Sequence, residues 1–211
     1  MELSPLRSEF TNLDAHQYSY MHRRPLLDML DRYQAAYPGE EAMAERIRSL
    51  VERHADCFDR TCRPGHITGS AWVLSADRQR CVLVHHRKLQ RWLQPGGHAD
   101  GDADVLRVAM KEAEEETGLG DLVFLGNAEQ PTPLDIDVHQ IPARHAPSGE
   151  LIDDAHEHHD LRFLLAATGE APPIVSEESH DVRWFKPAEI EQMTDEESVL
   201  RLLRKSEPHR G

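Results

Sequence analysis

Apolar positions change their period along this chain. Leu26, Leu27, Met29 and Leu30 recur at helical spacing, with Pro25 placed to start that helix and Gly39 to end it. Met43, Ile47, Leu50 and Val51 form a second stripe, which predicts a helix over about 40–54. The pattern then shortens. Positions 66–75 (HITGSAWVLS) and 80–86 (RCVLVHH) are rich in β-formers and flank a polar turn, so they predict a hairpin. A short extended piece at 89–94 closes on Pro95, Gly96 and Gly97. Further strands are expected at 122–126, 134–140, 160–166 and 182–186, and two final helices at 187–193 and 195–205. The segment 143–157 reads as a long polar loop. Strands and helices in this irregular order predict an α/β or α+β fold with a mixed sheet. The expected division is a helical segment at 1–62 and a second unit at 63–207.

Between the glycines and the strand at 122 lies a different kind of helix. Leu106, Ala109, Met110, Ala113 and Thr117 fall on one stripe at about 100° per residue. Glu112, Glu115 and Glu116, at i, i+3 and i+4, share a neighbouring stripe. Like charges so placed destabilise a helix by roughly 0.2–0.5 kcal/mol per pair. They also crowd its C-terminal end, where the macrodipole disfavours negative charge. That arrangement anticipates a cation, and a divalent metal is the obvious candidate. Asp102 or Asp104 is placed to cap the start, and Gly118 to end the helix in a left-handed conformation.

The bulk numbers narrow the class. With 24 Lys and Arg against 38 Asp and Glu, the 211 residues carry a net charge of −14. That argues against non-specific binding to nucleic acid or to an anionic membrane. A phosphate-bearing small molecule stays compatible, because a metal supplies local positive charge. There is no secretory h-region at the start and no apolar run near the ~18–20 residues of a membrane span. Three cysteines close no disulfide framework, which fits a cytoplasmic protein.

The stretch at 97–119 resembles the Nudix box, G-x5-E-x7-R-E-U-x-E-E-x-G-U with U aliphatic. Gly97 is its first glycine, Lys111 stands at the arginine, and Glu112 follows. Ala113 fills the small apolar place, Glu115 and Glu116 are the paired acids, and Gly118 and Leu119 close the box. Two positions depart from it. Ala103 replaces the first acid, and Lys111 keeps a charge but loses the bidentate fork. The resemblance implies a mixed β-sheet sandwiched between helices, with an N-terminal helical extension. It implies hydrolysis of a nucleoside diphosphate linked to another moiety, with Mg²⁺ or Mn²⁺. It implies Glu112, Glu115, Glu116 and the Gly96 carbonyl as metal ligands, and Lys111 in the place of the arginine that orients the first helix glutamate. Family members often carry an acid just before the tryptophan-bearing strand, which makes Glu177 and Glu178 loop candidates for a base or a substrate contact. Family habit also allows a homodimer. The rival reading is a non-catalytic Nudix-fold module that binds a nucleotide-like ligand. Isopentenyl-diphosphate isomerase shares the fold, but no convincing catalytic-cysteine motif is present.

Other residues offer substrate contacts. Arg91 and Trp92 precede the glycines, and an aromatic beside a phosphate site can stack on a base or serve as core. His98 follows the glycines. Asp135, Asp137 and His139 alternate along one predicted strand, as do His158, Asp160 and Arg162 along another. If these strands pair, one sheet face carries all six, either as a groove for substrate or a second metal, or as a wet face with cross-strand ion pairs. Cys57, Cys62, His54 and His66 form a loose quartet whose cysteine spacing is too wide for a zinc knuckle, so free thiols are expected there.

Overall fold

A computed structural model describes residues 15–177 and 179–211, with side chains from residue 20 onward. The elements in order are α1 (Ala15–Ala36), α2 (Glu41–Arg53), β1 (Gly65–Leu74), β2 (Cys81–His86), β3 (Arg91–Leu93), β4 (Gly96–His98), α3 (Val105–Thr117), β5 (Leu122–Phe124), β6 (Asp135–Ile141), β7 (Arg144–His145), β8 (Leu151–Asp153), β9 (His156–Ala167), β10 (Ser179–Phe185), α4 (Pro187–Met193) and α5 (Glu197–Lys205), followed by a 3-10 turn at Glu207–His209.

Eight strands form one mixed sheet in the path β10-β2-β1-β9-β5, with β3 on β2, β4 on β1 and β6 on β9. Its centre is the parallel pair β1–β9, in register from Gly65 opposite Glu157 to Leu74 opposite Ala166. β1 is buried along its whole length, as a central strand covered on both faces must be. Side-chain alternation splits the core in two. Ile67, Ala71, Val73, Leu161, Phe163 and Leu165 face α3 and the stripes of α1 and α2. Trp72, Leu74, Leu164 and Ala166 face α4 and α5. The Trp72 indole donates to Ser206 Oγ at 3.0 Å, which satisfies its one buried donor.

Three expectations change. Pro25 lies inside α1 and does not start it. Arg24 bridges Tyr20 (3.0 Å) and Asp28 (2.7 Å) on either side of it, tying the turns together where the proline lacks an N–H. β1 and β2 meet only where Leu74 faces Cys81, because β9 and β4 take the edges of β1 and β2 turns to β3 and β10. The polar stretch expected to be a loop contains the small pair β7–β8 and the start of β9. Among the described residues, no helix is long and apolar enough to cross a membrane.

Candidate active site

Glycine lets α3 and β4 approach each other. A Cβ on Gly69 of β1 would lie 2.8 Å from the Val105 carbonyl oxygen, so only glycine allows the helix to sit this close. Asp104 caps α3 by accepting from the Arg107 N–H at 3.1 Å, and Gly118 ends it with φ 68°. Val105, Leu106, Val108, Ala109 and Ala113 are buried under it. This docking fixes which glutamates turn inward.

Two of them reach β4. The Glu112 carboxylate lies against Gly97, where an added Cβ would meet its Oε2 at 2.5 Å. Glu116 is buried, and its Oε2 accepts the Gly96 N–H at 3.1 Å. Glu115 is exposed and pairs with Lys111 at 3.2 Å. That hydrogen bond and its charge raise the Lys111 pKa above the usual lysine value. Lys111 is thus bound to Glu115, one helical turn on from the glutamate that its place in the box would have it orient. Hard carboxylate oxygens beside a glycine backbone are a donor set suited to Mg²⁺ or Mn²⁺. Glu112 and Glu116 could hold such an ion, with the Gly96 backbone beside Glu116 and Glu115 one turn away.

The other expected residues fall into separate groups. β6 and β9 do pair, with Asp135 opposite Arg162, Asp137 opposite Asp160 and His139 opposite His158. The Asp–Arg end of this face is closed. Arg162, 2% exposed, donates to Asp160 (2.8 Å), Asp135 (3.2 Å) and Asp137 (3.0 Å). Arg201 of α5 covers Asp135 and Asp137, at 2.9 and 2.8 Å. Lys205 bonds Asp135 at 2.8 Å. Thr68 and Ser70 donate to Asp160 at 3.0 and 2.8 Å. Arg162 is therefore a buried ionic hub, with Arg201 and Lys205 packed onto the same aspartates.

At the other end of that face, His98 and His158 come together, with His139 beside His158 (ring centroids 5.4 Å). Trp92 is half-buried, edge-on to Phe185 at 4.9 Å, with the Arg183 guanidinium 5.7 Å from its ring centroid. Arg91 is exposed and paired with Glu196. Glu177 is exposed in a turn, and Glu178 lies outside the described residues. The loose Cys–His quartet separates. His54, Asp56 and Cys62 stay together, and the Cys62 thiol donates to Asp56 at 3.5 Å. Burial and that carboxylate push the thiol up to about 12, so it stays protonated at neutral pH. His66 leaves this group for His98 and His158. The sequence pattern missed Arg201 and Lys205, an i, i+4 basic pair on the last helix, and grouped His66 with the cysteines, because its true neighbours follow only once β1 is set parallel to β9.

A family model described as NUDIX domain matches residues 66–205. No curated protein matches the sequence. Among solved structures, a hydrolase of the NUDIX family from Clostridium perfringens is 18% identical, over 67% of this chain and 94% of its own, with a TM-score of 0.51. The C. elegans Ap4A hydrolase in a binary complex is 16% identical, over 68% of this chain and 96% of its own, with a TM-score of 0.48. The E. coli dihydroneopterin triphosphate pyrophosphohydrolase is 14% identical, over 68% and 94%, with a TM-score of 0.48. At 18% identity the likeness to the Clostridium perfringens protein concerns the fold.

Proposed function

The chain belongs to the NUDIX family, and from that premise we propose that it hydrolyses a phosphoanhydride bond in a nucleoside diphosphate derivative, with Mg²⁺ or Mn²⁺. The observation that carries this reading is the convergence of Glu112 and Glu116 on the Gly96–Gly97 backbone. A helix designed only for stability would not aim two carboxylates at one strand near its own negative end. A bound divalent ion neutralises diphosphate oxygens and lowers the pKa of attacking water. Glu112 and Glu116 would hold it, because their oxygens are hard donors, that of Glu116 already oriented by the Gly96 N–H. Glu115 is available to join them once it leaves Lys111, since an exposed i, i+4 pair is worth only about 0.3–0.5 kcal/mol. Lys111 would then remain near the substrate as a positive charge. The proton acceptor is sought among Glu115, Glu177 and Glu178.

One observation favours the non-catalytic alternative. Lys111 pairs with Glu115, and Ala103 stands where the box has an acid, so the orienting contacts of the box are incomplete. A single assay separates the two. Phosphate or nucleotide release is measured with Mg²⁺ or Mn²⁺ on nucleoside diphosphate sugars, dinucleoside polyphosphates and nucleoside triphosphates. The expected result is turnover on one class, lowered about 100-fold or more by Glu116→Gln, equivalent to ~2.7 kcal/mol of lost transition-state stabilisation. Turnover on none of them, with nucleotide binding seen by calorimetry on the same panel, would establish the binding module instead.

A further inference from the structure

His66, His98 and His158 come from three strands and meet on one face of the sheet. His66 and His158 are register partners across β1 and β9, and His98 enters from β4 opposite Thr68. Their ring centroids lie 4.8 to 5.1 Å apart. Each ring offers a nitrogen, and these atoms all lie within 4.8 Å of one another. His66 is 1% exposed, and neither of its nitrogens makes a hydrogen bond of ordinary geometry; nor does Nε2 of His158. A buried polar atom without a partner costs about 1–3 kcal/mol. Apolar side chains would fill the same space without that cost. Imidazoles here need another explanation.

The geometry points to a transition-metal site of the zinc class, held by His66, His98 and His158. Neutral imidazoles suit Zn²⁺, Cu²⁺ or Ni²⁺, whereas Mg²⁺ takes oxygen donors. Burial and the neighbouring rings hold His66 at about 4 and His158 at about 2, so their lone pairs are free at neutral pH. His156 packs beside His66 (5.0 Å between centroids), and its Nδ1–H donates to the Asp154 carbonyl at 2.7 Å. A tetrahedral ion with Zn–N near 2.0–2.1 Å needs nitrogens roughly 3.4 Å apart, so the rings must draw in by rotation.

This site is distinct from the carboxylate site. A Cβ on Gly97 would point at Glu112, so alternation sends the next side chain, His98, out through the opposite face. A metal there would pin β4 to β1 and β9 from behind, steadying the backbone that Glu112 and Glu116 address. It would share no ligand with them.

The test uses full-length, untagged protein stripped of metal. It is titrated with Co²⁺, then with Zn²⁺. The expected result is one equivalent of Co²⁺ with visible d–d bands, displaced by Zn²⁺ and unaffected by Glu112→Gln. His98→Gln and His158→Asn should each weaken binding by more than the roughly 100-fold ceiling for a residue that only supports a ligand. X-ray absorption at the zinc edge of the wild-type protein is independent of how the variants fold, and should show three imidazoles at about 2.0–2.1 Å. Absent bands, fewer than three imidazoles, binding unchanged in both histidine variants, or binding lost in Glu112→Gln would each overturn the site.

Discussion

At Gly96 and Gly97 the missing side chains do different jobs. The three atoms nearest a methyl at Gly97 all belong to the carboxylate end of Glu112, the far end of a flexible side chain. Gly97→Ala is therefore expected to cost about 1 kcal/mol or less, the scale of one strained rotamer. Turnover should nevertheless fall about tenfold or more, because the displaced carboxylate is one of the proposed metal holders. A methyl at Gly96 instead meets Ser70 Cα at 2.7 Å and the Gly69 carbonyl oxygen at 3.0 Å, so two strands must part. Gly96→Ala should cost about 1–3 kcal/mol of stability, as overpacking does. Denaturant unfolding and steady-state kinetics on both variants check the pair. Full activity in Gly97→Ala would mean that the Glu112 carboxylate is not used where it lies.

At the scale of elements, α3 depends on its caps. Asp104→Ala removes the acceptor for the Arg107 N–H and should lower stability by about 1 kcal/mol, read as a lower thermal midpoint. An unchanged midpoint would show that Asp102, which bonds the Arg107 guanidinium at 2.6 and 2.9 Å, holds the helix start by itself. This helix was the most legible part of the chain. Its stripe, its Gly118 terminus and its inward acids follow from local spacing, and the helix at Pro187–Met193 was likewise bounded by its proline. What spacing could not give was partners. The pattern at 66–86 looks like a hairpin because its strands are adjacent in sequence. β1 instead pairs with β9, which follows the acidic helix and four further strands, and nothing local announces that register. The same gap explains the candidate site. The helix alone puts Glu112, Glu115 and Glu116 on one stripe, whereas the meeting of His66 with His98 and His158 needs β1, β4 and β9 in register. Glu115 shares its stripe with the other two in sequence but is exposed and pairs with Lys111 one turn away.

Across the described residues, one buried ionic cluster joins the sheet to α1 and to α5. Asp135 is fully buried between Arg162, Arg201 and Lys205, and Lys205 also reaches Tyr33 of α1 at 2.7 Å and Glu40 before α2 at 2.7 Å. Removing one partner from such a cluster strands a charge, so Asp137→Asn should cost about 3–5 kcal/mol at neutral pH, or somewhat less for a carboxylate still 14% exposed. The cluster also sets an acid limit. Burial alone would raise the Asp137 carboxyl, but the hydrogen bond with His139 and the charges of Arg162 and Arg201 more than reverse this and hold it well below the usual range. The unfolded chain has an ordinary aspartate near 3.9. A group depressed on folding contributes stability in full above its unfolded value and loses it as pH falls toward its folded one. The Asp137 contribution to the urea midpoint should therefore be full and constant between pH 7 and about 5, and should shrink below that. Asp137→Asn removes this proton linkage, so the gap between wild-type and variant stability should narrow steadily from about pH 5 downward. If instead the two curves descend in parallel from pH 5 to 3, Asp137 is not held in its charged form by the arginines, and the cluster that ties α5 to the sheet is weaker than its geometry indicates.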